Sequence, residues 1–199
     1  MTRLSPRTAA TALPRKPCVR RSRLAGISLL ELMVTMAVLA IAAAAAQPML
    51  GSLFDSLGND MARALGSSLQ LARSEAIKRA SRATVCKSSD GERCSAAGSW
   101  GQGWIVFHDG NHNGSREAGE NIIQVRQALP QRWRISGNSS VAQYVSFQAD
   151  GSPTLVSGAF QAGTFTVCRL AGANAQAKLL VMSATGRLRV QGAAVQSCA

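Results

Sequence analysis

One apolar run, Ile27–Ala46, constrains this chain more than any other feature: it reads ISLLELMVTMAVLAIAAAAA and holds a single charge, Glu31. At about 1.5 Å per residue it makes about 30 Å of helix, one bilayer core. An ionisable group in such a span costs roughly 2.5 kcal/mol or more, so Glu31 reads as functional by default. Residues 1–26 carry seven Lys or Arg and no acid. By the positive-inside rule that leader stays cytoplasmic and the rest is exported. The net charge is +12, of which only +5 belongs to residues 27–199. A 46% apolar and 16% charged composition excludes wholesale disorder. Two histidines in 199 residues leave little material for histidine catalysis or zinc, and an enzyme with a deep cleft is not expected.

Three kinds of N-terminal segment fit this pattern. A secretory signal peptide would be cut at Ala44-Ala45-Ala46, giving an ordinary secreted binding protein, and a plain membrane anchor would not be cut. The third is a leader removed ahead of the apolar run, and Glu31, five residues into a segment that starts right after Gly26, favours it. Gly26-Ile27-Ser28-Leu29-Leu30-Glu31-Leu32-Met33 resembles the class III signal of type IV pilins and type II secretion pseudopilins. The resemblance implies cleavage between Gly26 and Ile27 by a prepilin peptidase, methylation of Ile27, and Glu31 as fifth mature residue. Phe or Met is more usual than Ile at the methylated position, and the leader is longer than many. Pro48 matches the position of a proline that kinks the pilin helix. A single-pass protein of the bacterial inner membrane, with its C-terminal domain in the periplasm, follows from the resemblance.

Cleavage would leave a new amine on Ile27 at the bilayer edge. A carboxylate in a low-dielectric medium needs a positive partner, and the amine of a neighbouring subunit offset along a filament supplies one. Such a pair sets axial register between protomers. The alternative for Glu31 is a carboxyl that stays protonated or snorkels.

Beyond Pro48 the helical period continues. Leu50, Leu53, Phe54, Leu57, Met61, Ala64, Leu65, Leu71 and Ala72 share one side, and Ser52, Asn59, Arg63, Ser67, Gln70 and Ser74 the other. The spacing predicts a helix from about 27 to about 80 whose second half lies on a sheet, the pattern being too short for a coiled coil. From Arg82 the period becomes that of strands: Ala83–Lys87, Gly103–His108, Asn121–Gln127, Arg132–Ser136, Tyr144–Gln148, Thr164–Arg169, Lys178–Ser183 and Leu188–Gln191. Turn residues separate them, among them Asp150-Gly151 and Thr185-Gly186. The expected fold class is α+β: a long N-terminal helix, membrane-spanning in its first half, packed on an antiparallel β domain. The segments are a leader (1–26), a membrane and filament-core helix (27–48), an amphipathic helix (49–81) and a β domain (82–199).

Cys18 lies in the leader. The other four cysteines, an even number in an exported domain, read as disulfides. Of the three pairings possible, we expect Cys86–Cys94 locally and Cys168–Cys198 at long range, the latter pinning the C-terminus. A four-cysteine zinc site fits poorly, because its ligands usually come as C-x2-C pairs.

Leu71-Ala72-Arg73-Ser74-Glu75-Ala76-Ile77-Lys78-Arg79 followed by a Val-Cys strand resembles the GspH/FimT group of minor pilins and pseudopilins. So do Trp100-Gly101-Gln102-Gly103-Trp104-Ile105-Val106-Phe107 and the loop Asp109-Gly110-Asn111-His112-Asn113-Gly114. The partners this implies are other minor and major pilins or pseudopilins.

Two further patterns bear on ligands. Asp109, Asn111, Asn113, Gly114 and Glu120 match the spacing of an EF-hand calcium loop, but strands rather than helices flank them, and a polar hairpin loop is the plainer reading. No cofactor is expected, with Ca²⁺ the one weak candidate. His108 and His112 share no helix and lack the H-E-x-x-H pattern of a zinc protease. In the tail, Gly186-Arg187-Leu188-Arg189 puts two guanidinium groups on one face of a strand, with Arg169 and Lys178 as candidate neighbours. Alternate arginines suit a phosphate backbone. The stretch resembles the tail of FimT-type minor pilins, which implies double-stranded DNA as a ligand during uptake. Gly-Arg is also common there in secretion pseudopilins, and an edge strand guarded by charge is the simplest alternative.

The processing expectation is checked by mass spectrometry of the mature N-terminus. A methylated Ile27 is expected; a start at Gln47 would mean an ordinary signal peptide and would remove the filament reading.

Overall fold

The computed structural model describes residues 28–170, 175–195 and 198, with the side chains of 45–55, 175 and 176 outside that description. The chain forms two compact units, Met1–Ala45 and Ala46–Ala199.

Helix α1 runs Leu29–Arg79. In the first unit its side chains from Leu29 to Ala44 are all exposed, including the large apolar ones. Among the described residues no helix is long and apolar enough to cross a membrane.

In the second unit, α1 buries Met61, Ala62, Leu65, Leu69, Ala72 and Ala76. This stripe is turned relative to the one the spacing predicted. Leu57 is exposed, Ala64 and Leu71 are half-buried, and Ser68 is buried. Ser68 belongs inside because its hydroxyl is satisfied, donating to Ala64 O and to Gln124 Oε1 at 2.6 Å. Arg63, Ser67, Gln70 and Ser74 face solvent, as the period predicts.

Among the described residues eight strands follow: β1 (Ala83–Lys87), β2 (Trp104–His108), β3 (Ile122–Arg126), β4 (Trp133–Gly137), β5 (Tyr144–Phe147), β6 (Gly163–Arg169), β7 (Ala175–Met182) and β8 (Leu188–Val195). Each overlaps a strand expected from sequence; β4 and β6 extend by one residue, to Gly137 and from Gly163, and β7 and β8 by three residues before Lys178 and four beyond Gln191. They form two antiparallel four-stranded sheets, ordered β3-β2-β1-β5 and β4-β6-β7-β8. This is the α+β class expected, a long N-terminal helix packed on antiparallel sheets.

One core joins the helix to both sheets. Val85, Trp104, Val106, Val145 and Phe147 of the first sheet and Ile135, Phe165, Val167, Leu180 and Met182 of the second meet the α1 stripe. Trp100, in a short 3-10 turn capped by Ser99, seals the seam between the sheets. Its ring stands edge-on to Phe165 at 5.3 Å, and its indole N–H donates to Val141 O at 3.0 Å. Gly58 permits close approach: a Cβ there would lie 3.3 Å from the Trp133 ring. Cys86–Cys94 and Cys168–Cys198 are both bonded. Cys86 and Cys94 join Ile105, Phe107, Ile122 and Tyr144 in a second apolar cluster on the other side of the first sheet.

Two predictions follow from this packing. Leu65→Ala should lower unfolding free energy by about 2–5 kcal/mol in chemical denaturation of the detergent-solubilised chain. Acid should also destabilise the fold. The backbone N–H groups of Arg93 and Glu92 hold the Asp90 carboxyl down at about 2, and bonds from Lys78 and Arg79 hold Glu75 below the usual range. For depressed carboxyls the stabilisation is complete above the unfolded pKa near 4 and is lost as pH falls through the folded value. Melting temperature should therefore fall between about pH 5 and pH 2, and less steeply in Asp90→Asn.

Candidate functional site

The residues expected to matter fall in four places. Gly26 and Ile27, the cleavage pair, lie outside the described residues. Glu31 stands in the first turn of α1, exposed, where a negative charge suits a helix N-terminus. Pro48 lies within α1, its side chain outside the described set.

The loop Asp109–Glu120 closes on itself. Asp109 is fully buried and accepts from Thr84 Oγ1 at 2.8 Å and from the backbone N–H groups of Asn113 and Gly114. Asn111 and Asn113 donate their amides to the two oxygens of Glu117. Glu120 accepts from the N–H groups of Gly110 and Glu117. These bonds hold the loop in an Asx-type turn. Among the described residues no group of three His, Cys, Asp or Glu could hold a metal. His108 shares a hydrogen with Ser81 Oγ at 2.9 Å, while His112 sits at the loop tip with φ 64°.

The tail arginines are presented by a tight turn. Ser183 N–H donates to Arg187 O, Gly186 N–H to Ser183 O, and Arg187 N–H to Ser183 Oγ. Gly186 takes φ 76°, a left-handed value that glycine adopts without strain. Arg187 ends this turn and Arg189 lies on β8, the edge strand, opposite Val181. Both arginines are exposed. Leu188 between them turns inward against the core.

Strand alternation then separates the four expected cations. Lys178 pairs with Val167 and shares its inward face, where its stem lies against Gly58 of α1. Arg169, opposite Trp133, is on that same inward face. Arg187 and Arg189 point to the other face. The expected cluster of four is therefore two arginines outward and two cations inward, both of the latter with interactions of their own.

In place of Arg169 and Lys178, the structure brings helix residues to the tail. Arg63 and Gln70 line a cavity of about 210 Å³ together with Gly66, Leu188 and Arg189. The Arg73 guanidinium lies against the Gly186 turn, where a Cβ would come within 3.1 Å of it. Arg63, Gly66, Gln70 and Arg73 recur at helical spacing, a stripe visible in the sequence, but nothing in the sequence says that β8 lies beside it. Arg134 adds a further exposed cation on the outward face of the second sheet. No Asp or Glu occurs after Asp150.

Comparison with known proteins places these features. The family described as Type II transport protein GspH matches residues 61–186, and the prokaryotic N-terminal methylation motif matches residues 21–47. No curated protein matches the chain significantly. Among solved structures, the type IV minor pilin FimU of Pseudomonas aeruginosa is similar at TM-score 0.52 and 22% identity, over 73% of this chain and 97% of that one. A second crystal form of FimU gives TM-score 0.50 and 23% identity, over 71% and 99%. The minor pseudopilin EpsH of Vibrio cholerae gives TM-score 0.43 and 13% identity, over 67% and 95%. The FimU likeness shows a shared fold. The family match covers well over half of the 199 residues and ends on Gly186, at the turn that presents the tail arginines. An N-terminal methylation motif ahead of a helix laid on two antiparallel sheets completes the pattern: the chain belongs to the GspH family of minor pilin-like filament subunits.

Proposed function

We propose that this protein is an inner-membrane minor subunit that helps initiate or cap a short filament and holds DNA on its cationic face. The observation that carries the DNA reading is the outward pair Arg187, at the end of the Gly186 turn, and Arg189, on the edge strand, with Arg63 and Arg73 of α1 along the same sheet edge, in a C-terminal region without acids after Asp150. Guanidinium forks match phosphate oxygens, and a two-residue strand repeat of about 6.6 Å fits the spacing of successive phosphates. Contacts of this kind go to the backbone and carry no sequence preference. The family description favours a second reading, a subunit of a type II secretion pseudopilus, in which the same face meets protein rather than DNA.

Anisotropy against unrelated duplexes at two salt concentrations separates the two. The detergent-solubilised mature chain should bind all duplexes alike and lose affinity as salt rises. Each tail arginine replaced should reduce the salt slope by about one. Arg187→Gln with Arg189→Gln should remove most binding. If wild type binds no duplex even at low salt, the secretion reading stands instead. Equal binding by the double variant would move the surface to Arg126, Arg132 and Arg134.

For assembly, the proposed partner of Glu31 is the Ile27 amine of a neighbouring subunit. Glu31→Ala should be processed and inserted normally but should fail to cross-link to partner pilins. Wild-type cross-linking in that variant would show that Glu31 does not set the register.

A further inference from the structure

Arg82 is a buried cation without a counter-ion among the described residues. It is 8% exposed, and among the described residues no carboxylate lies within ion-pair distance of it. Its side chain has one hydrogen-bond partner, the Ser146 hydroxyl at 3.0 Å, and its Nε is buried with none. Asp109, whose N–H donates to Arg82 O, directs its own carboxylate at Thr84 and at the turn 113–114. A guanidinium cannot shed its proton, so a buried one left unpaired is costly and calls for an anion.

Arg82 lines a cavity of about 420 Å³ with Ala80, Ser81, His112, Gln148 and Ala149. Gln148 and His112 supply further donors, and Ala80 and Ala149 supply apolar wall. The cavity's surroundings carry both signs: Lys78 and Arg79 precede Ala80, and Arg73 faces Asp150. Asp150 follows Ala149 directly, with its carboxyl held below the usual range by Ser152, and Glu117 and Glu120 occupy the loop that carries His112. A cavity of about 420 Å³ has room for a single carboxylate side chain and not for an extended polyanion.

We propose that this cavity is a carboxylate-binding site, filled by an Asp, Glu or C-terminal carboxylate of a neighbouring filament subunit, with Arg82 as its anchor. The site differs from the arginine face proposed for DNA, and it is independent of that reading.

Sodium acetate against sodium chloride at equal ionic strength is the first probe, read as melting temperature of the detergent-solubilised mature chain. At ten times its dissociation constant, acetate should raise the wild-type midpoint by about 3 °C or more. Arg82→Met should show no acetate-specific rise. Gln148→Glu, which places a carboxylate in the cavity wall, should melt above wild type in chloride and gain nothing from acetate. An equal acetate response in wild type and Arg82→Met, or a Gln148→Glu variant that melts lower, would overturn the site. The second probe is incorporation of the subunit into sheared filaments from cells. Arg82→Met should fall several-fold at unchanged processing and membrane level, and its DNA binding should be unchanged. Normal incorporation would overturn the subunit as ligand, even with an acetate response intact.

Discussion

The fold of the second unit depends on covering one stripe of α1, Met61 to Ala76. That stripe is small-sided, with alanine at 62, 72 and 76, so the sheets come in close and must supply the bulk. They do so with Trp100, Trp104, Phe147 and Phe165, each essentially without solvent contact. Gly58 and Gly66 extend the same logic: side chains of β4, β7 and β8 rest where a larger helix residue would stand. A single helix face thereby organises two sheets, and the Trp100 indole, bonded to Val141 O, locks the seam between them. Burial on this face is non-directional, and the hydrogen bonds of Ser68, Trp100 and Gln161 fix which strands meet it.

Committing one face of each sheet to the helix leaves the other for different work. The first sheet covers its far side with the Cys86–Cys94 cluster. The second leaves β8 as an exposed edge with arginine beside it, which discourages edge-to-edge pairing and also offers a surface to a polyanion. The acids are kept elsewhere and are mostly engaged: Asp90 with backbone N–H groups, Asp109 in its turn, Glu75 with Lys78 and Arg79. One small domain thus carries two chemically distinct surfaces, an open arginine face and a cavity over Arg82.

The sequence by itself determined the elements and the family. Each strand announced itself by alternation between turn residues. The helix was legible from its period, and Gly26 with Glu31 carried the resemblance to a processed filament subunit. Local rules suffice for these features, because side-chain period, turn chemistry and a charge in an apolar run act within a few residues. Tertiary structure decided everything that depends on which strands are neighbours. Lys178 and Arg169 sit near Arg187 and Arg189 in the chain's logic, yet strand alternation turns them to the opposite face. Arg63 and Arg73 join the tail only because β8 lies along α1. Ser68 is inside because Gln124 is there to accept its hydrogen. Arg82 is one more basic residue until folding buries it with, among the described residues, no acid within ion-pair distance. Solvent loss and long-range pairing arise from the assembled core, and no window of sequence contains them.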